Sequence, residues 1–218
     1  MLTQHTYWNL DAFANPDTDR VWNHTYYTPY SVRLLEPDAN MVPTGKLVYI
    51  PKDNINDFWS KPKQIGASMN DPKWVGNCGS GCAGYNNMWI VDKSKYDTRV
   101  AATLASAWSG IKVDIRTDQQ GLQLYSCYWS GGTPPFPSST STLVYELCYN
   151  NIYIGTGKLK STQGGPASNG FVNSGGCVAI EAQDWNDGIN HPEWNRKQFY
   201  GPGEQYTWNS DYTFGTFN

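Results

Sequence analysis

A chain of 218 residues with no linker-like stretch dividing it reads as one domain over residues 1–218, built on a single core. Its formal charge of -3 supplies no basic field, which excludes nucleic acid and anionic membrane surfaces as preferred partners and points to a neutral ligand. No apolar run approaches the ~18 residues needed to cross a bilayer and no apolar leader follows Met1, so the chain as written reads as cytoplasmic.

In chain order, short runs rich in Val, Ile, Leu, Tyr and Trp predict strands at 2–8, 32–35, 46–50, 87–91, 98–105, 112–117, 122–129, 177–183 and 205–214. Residues 53–62 have room for one helical turn, and long helical periodicity is absent. Gly- and Pro-rich stretches at 68–84, 130–142 and 161–176 are loops, since proline denies ladder hydrogen bonds and glycine permits left-handed turns. Between the last two, 143–159 reads as a projecting hairpin. The clearest pattern runs from Asp97 to Trp129: strand, turn at Ser109-Gly110, strand with Val113 and Ile115 on one face, turn, strand, which predicts an antiparallel meander. The fold class is therefore all-β.

Ten Trp and fifteen Tyr supply far more flat amphipathic rings than the modest apolar fraction requires. Such rings fill cores and also stack on sugar faces, with Trp8, Trp129 and Trp185 as candidate platforms. Five cysteines form an odd set without C-x-x-C spacing, which argues against both a disulfide framework and a zinc finger. The three histidines are too dispersed for a metal site. No metal or other cofactor is expected.

Two tracts carry chemistry. Cys177-Val178-Ala179-Ile180-Glu181-Ala182-Gln183-Asp184 sets a carboxylate inside an apolar strand, where an unpartnered charge would cost several kcal/mol. The bland alternative is a strand-end ion pair with Lys or Arg. Gln4-His5-Thr6-Tyr7-Trp8-Asn9-Leu10 frames a histidine with aromatics, the possible second half of an acid/base pair. Gln123 falls where a strand side chain can point into a cleft.

These tracts resemble the aldose 1-epimerases, the galactose mutarotase family, in their fungal branch. The His5 tract, Val42-Pro43-Thr44-Gly45, Gly84-Tyr85-Asn86-Asn87, Gly121-Leu122-Gln123-Leu124-Tyr125, Glu181-Ala182-Gln183 with Asn190-His191-Pro192, and Pro202-Gly203-Glu204 follow the family's order. The resemblance implies a large twisted antiparallel β-sandwich with a sugar cleft across one sheet. It implies Glu181 as general base on the anomeric hydroxyl, His5 as general acid on the ring oxygen, Gln123 and Asn86 as hydroxyl ligands, and a structural place for His191. Asn86 stands where the family has aspartate, so a charge is lost and donors are gained. Family chains are also longer, and their N-terminal part adds an arginine and a histidine to the cleft. Met1 thus reads as an internal methionine of a sandwich lacking its first strands.

The expected function is interconversion of α and β anomers of a free hexose such as galactose or glucose. The alternative is a non-catalytic sugar-binding remnant. A hexose-6-phosphate epimerase fits less well, because the cleft tracts carry no arginine cluster for a phosphate.

Overall fold

A computed structural model describes residues 2–128 and 158–217. The loop at 130–142, all but the last two residues of the expected hairpin at 143–159, Trp129 and Cys148 lie outside the described residues. The strands are β1 (Tyr7–Trp8), β2 (Thr25–Tyr27), β3 (Arg33–Pro37), β4 (Pro43–Tyr49), β5 (Lys63–Gln64), β6 (Asn86–Ile90), β7 (Ala102–Ala105), β8 (Ile111–Thr117), β9 (Gly121–Tyr125), β10 (Val178–Gln183) and β11 (Ser210–Thr216). One sheet has the order β1-β10-β9-β6-β3-β4 and the other β11-β8-β7-β2-β5. Adjacent strands pair antiparallel throughout the described residues, as an all-β sandwich requires.

Alternation explains the layers. In β8, Val113, Ile115 and Thr117 are buried while Lys112, Asp114 and Arg116 face out. Across the ladder Val113 meets Leu104 and Ile115 meets Ala102, so one apolar face is shared by β7 and β8. Opposite lie Ile180, Leu122, Leu124 and Trp89 of the other sheet, all fully buried in the same core. Phe58 meets Tyr26 at 5.2 Å and Tyr85 at 5.1 Å, each edge to face, geometry worth roughly 0.5–1.5 kcal/mol per pair beyond burial.

The structure corrects the sequence reading in three places. β8 and β9 do not continue one meander, because β9 crosses to the other sheet and pairs with β6 and β10. The corner between them is held by Asp118, which accepts from the Asn209 backbone N–H at 3.0 Å, and by Gln120 O, which accepts from Trp185 Nε1 at 3.0 Å. Four of the five β9 residues are buried, a pattern that a central strand satisfies. Residues 53–62 form no helical turn; the Asp57 carboxylate gathers the backbone N–H groups of Asp53, Trp59 and Ser60 into turns instead.

The cysteines are the third correction. Cys78 pairs with Cys82 and Cys127 with Cys177. β9 and β10 are in register at Tyr125 and Ala179, so two residues further along each strand Cys127 and Cys177 stand opposite, with Cα atoms 5.5 Å apart. Cys78 and Cys82 approach to a Cα distance of 5.3 Å through a loop whose Gly79 and Gly81 take φ of +107° and +72°. Neither pairing needs C-x-x-C spacing or an even cysteine count.

Candidate active site

The outward face of the six-stranded sheet gathers the candidate residues Glu181, Gln123 and Asn86, with His5 at its edge. Because strand side chains alternate, Ile180 and Ala182 point into the core while Glu181 between them points out, and Leu122 and Leu124 do the same around Gln123. Register then makes Glu181 and Gln123 direct cross-strand neighbours, with Met88 beyond Gln123 on β6.

Glu181 is 8% exposed. Its Oε1 lies 3.3 Å from His5 Nε2, whose imidazole is about half exposed. Burial raises the Glu181 carboxyl above the ordinary carboxylate range, and His5 pulls it back. The Tyr7 ring, 4.8 Å from the imidazole, has its hydroxyl pushed up to about 12, first by burial and then by the Glu181 charge. His5 is placed by anchors on both sides. Thr3 Oγ1 donates to Ala182 O at 3.3 Å, and Tyr7 pairs with Ala179 at the edge of the sheet. The ionic alternative for Glu181, a Lys or Arg partner, is not what the structure shows; Arg196 binds the neighbouring Asp184 instead.

Beside this pair, Gln123 Nε2 donates to Asn86 Oδ1 at 2.8 Å and Gln123 Oε1 accepts from Asn186 Nδ2 at 2.9 Å. These three amides line a cavity of about 180 Å³ whose other walls include Met41, Pro43 and Met88. Asn86 is held by what precedes it. Gly84 takes φ of +148° and leaves no room for a Cβ beside Ser126 Oγ, which accepts from the Tyr85 backbone N–H at 2.9 Å. A larger depression of about 360 Å³ lies between Lys95, Arg116 and Asn209, but its Asp118 is engaged by Asn209 and Gln119 and no imidazole reaches it.

Other candidates fall elsewhere. Trp8 faces the sandwich interior, stacked on Tyr212 with ring centroids 5.9 Å apart, so it is no sugar platform on the cleft face. Trp185 packs edge to face on Trp194 at 5.5 Å over the small cluster of Leu35, Met88 and Ile90. His191 stacks on Trp194 at 4.2 Å, is hydrogen-bonded to Glu193, and sits against Gly45, whose φ of +92° favours glycine and where an added Cβ would crowd the imidazole at 3.0 Å.

The sequence model of the aldose 1-epimerase family matches residues 1–213. The chain belongs to this family. It is 32% identical over 217 residues to a probable aldose 1-epimerase of Arthroderma benhamiae, covering 93% of this chain and 44% of that protein. It is 25% identical over 210 residues to the galactose mutarotase of Rattus norvegicus, covering 95% of this chain and 48% of that one. A crystal structure of a GalM/aldose epimerase homologue from C. elegans superposes with a TM-score of 0.66 at 22% identity, covering 99% of this chain and 51% of the other, a likeness of fold. The chain thus spans about half the length of the relatives it matches.

Among aldose 1-epimerase tracts, the Glu181 and Gln123 strands could be found in the sequence because a polar residue interrupts an apolar run. Asn186 was missed. It lies beyond the end of β10 in a turn where no periodicity marks it, and its one sequence signal is that it stands three residues after Gln183, whose Nε2 donates to it.

Proposed function

We propose that this chain carries the acid/base half of an aldose 1-epimerase that interconverts the α and β anomers of a free aldohexose such as galactose or glucose. The observation that carries the reading is the His5–Glu181 contact of 3.3 Å beside the amide-lined cavity. Glu181 takes the proton of the anomeric hydroxyl while His5 delivers one to the ring oxygen. The ring C–O bond breaks, its electron pair going to the ring oxygen as the anomeric C=O forms, and the open-chain aldehyde turns about C1–C2. Reversal of both proton transfers closes the other anomer. No net proton or electron is consumed.

Burial that raises the Glu181 carboxyl strengthens it as a base at near-neutral pH. With His5 Nε2 only 3.3 Å from Glu181 Oε1, a sugar that engages both groups separates the half-exposed imidazole from the carboxylate. Gln123 and the Asn86 side chain bind ring hydroxyls, and the neutral asparagine does so without the added strength of a charged acceptor. The two disulfides favour an oxidising compartment over the cytoplasm as the place of action.

The test is polarimetry on freshly dissolved α-galactose and α-glucose. Glu181→Gln is expected to lower kcat by at least ~10²-fold with the fold unchanged, the scale of a lost general base. A near-normal rate in that variant overturns the reading. Sugar binding with no turnover in the unaltered protein favours the non-catalytic alternative.

A further inference from the structure

Four side-chain amides form one directed chain across the outward face of the sheet. Gln183 Nε2 donates to Asn186 Oδ1, Asn186 Nδ2 donates to Gln123 Oε1 at 2.9 Å, and Gln123 Nε2 donates to Asn86 Oδ1 at 2.8 Å. Each donation fixes which end of the next amide faces forward, so Asn186, by donating to Gln123, passes its orientation on to Asn86. With its Oδ1 taken by Gln123, partly buried Asn86 has its Nδ2 left to face the cavity of about 180 Å³ that it lines. The turn holding Asn186 is pinned in place, since Gln198 Nε2 donates to Trp185 O at 2.8 Å and the Trp185 indole donates to Gln120 O.

We propose that Asn186 is a specificity-determining residue: by donating to Gln123 Oε1 it sets the polarity of the amide chain, so that Asn86 presents an NH₂ donor to the substrate. The proposal rests on the aldose-binding reading of this site. A substrate group docked on Asn86 must then accept a hydrogen bond. A sugar hydroxyl does so, and so does the fluorine of a deoxyfluoro sugar, which has no proton to donate. A carboxylate at position 86 imposes the opposite requirement, a donor on the sugar. The asparagine is in this sense a subsite of reversed polarity, and the residue that sets it lies on a turn outside the sheet.

Asn186→Asp tests this without changing side-chain shape. The variant keeps an acceptor for Gln183 Nε2 and loses the donor to Gln123. Gln123 then turns over, giving Nε2 to the introduced carboxylate and accepting from Asn86 Nδ2, and Asn86 offers Oδ1 to the cavity. In the full natural polypeptide, kcat/KM is compared for galactose, its deoxyfluoro analogues at the 3, 4 and 6 positions, and the matching deoxy sugars. With the native residue, one fluoro sugar is expected to stay within a few-fold of galactose while its deoxy counterpart falls at least about tenfold, as for a lost hydrogen bond. In Asn186→Asp that fluoro sugar falls at least about tenfold relative to galactose. An unchanged fluoro-to-hydroxyl ratio at all three positions overturns the proposal. Side-chain amide ¹⁵N–¹H spectra of the unliganded proteins read the polarity apart from catalysis: the NH₂ pairs of Gln123 and Asn86 both shift in the variant. An unmoved Asn86 pair shows that Asn186 does not direct it, which also overturns the proposal. If the unaltered protein neither binds nor turns over any aldose, the functional reading fails and the substrate-specificity claim with it, while the spectra still report whether the amide chain is directed.

Discussion

His24 is an imidazole with no exposed surface, locked in its neutral form by its neighbours. Its Nε2 accepts from the Leu10 backbone N–H at 3.0 Å, which requires a lone pair there, and its Nδ1 faces Asn23 Oδ1 at 3.1 Å. Burial pushes its pKa down to about 4, with Asp11 opposing. A base depressed on folding stabilises the native state above its unfolded pKa of about 6.5 and loses that contribution as pH falls through the window to the folded value. Stability is therefore expected to drop from about pH 6.5 toward pH 4, by at most on the order of 3 kcal/mol from this group. Urea melts of wild type and His24→Asn across that window check it: the variant is less stable at pH 7.5 and shows a flatter pH slope, whereas parallel slopes contradict the assignment. At this scale Glu181 was legible because a carboxylate in an apolar strand has few explanations. His24 was not, since a sequence shows neither burial nor the backbone N–H that comes to an imidazole from fourteen residues away.

β9 and β10 are the elements on which the site depends, and the Cys127–Cys177 bridge ties them together just beyond their last paired residues. Closing a separation of 50 residues restrains the unfolded chain, an effect of about 2–4 kcal/mol in typical cases. Cys127→Ala/Cys177→Ala is expected to lower stability on that scale, read as the shift in denaturant midpoint, while the double substitution of Cys78 and Cys82 costs less because its loop is short. Equal effects from the two pairs would sink this ranking. Most strands were readable from alternation, as in Ile111–Thr117. β2 and β5, of three and two residues, were not, because so short a run has no period to detect. The crossing of β9 to the second sheet was also hidden: local pattern separates buried strands from half-buried ones but does not say which neighbours bury them.

For the molecule as a whole, the end of the sandwich at β1 and β11 is an open seam among the described residues. Both are edge strands of their sheets. Phe214 pairs across from Val113 and so faces inward, yet it is 56% exposed, with Trp8 at 5.6 Å on one side. Nearby, Trp8 Nε1 and the Tyr212 hydroxyl are buried with no hydrogen-bond partner among the described residues. Unpaired edges beside an exposed aromatic face favour association. The 218-residue polypeptide produced by itself is expected to form concentration-dependent oligomers and to bind a hydrophobic dye, and Phe214→Lys should reduce both. Light scattering after size exclusion decides it: a monomer at every concentration, with no dye binding, contradicts the prediction.

The strand alternation that turns Glu181 outward and Ile180 inward also limits how this chain can change in length. One residue inserted in β6, β9 or β10 exchanges the two faces of everything beyond it, driving a carboxylate or an amide into the core and an aliphatic side chain into the cavity. The active face thus behaves as a matter of parity. Substitution at outward positions can change the lining of the cavity while the core goes unaltered, but odd changes of length are confined to the connections. The turn that carries Asn186 is such a connection, so length variation there moves an end of the amide chain and leaves the sheet in place.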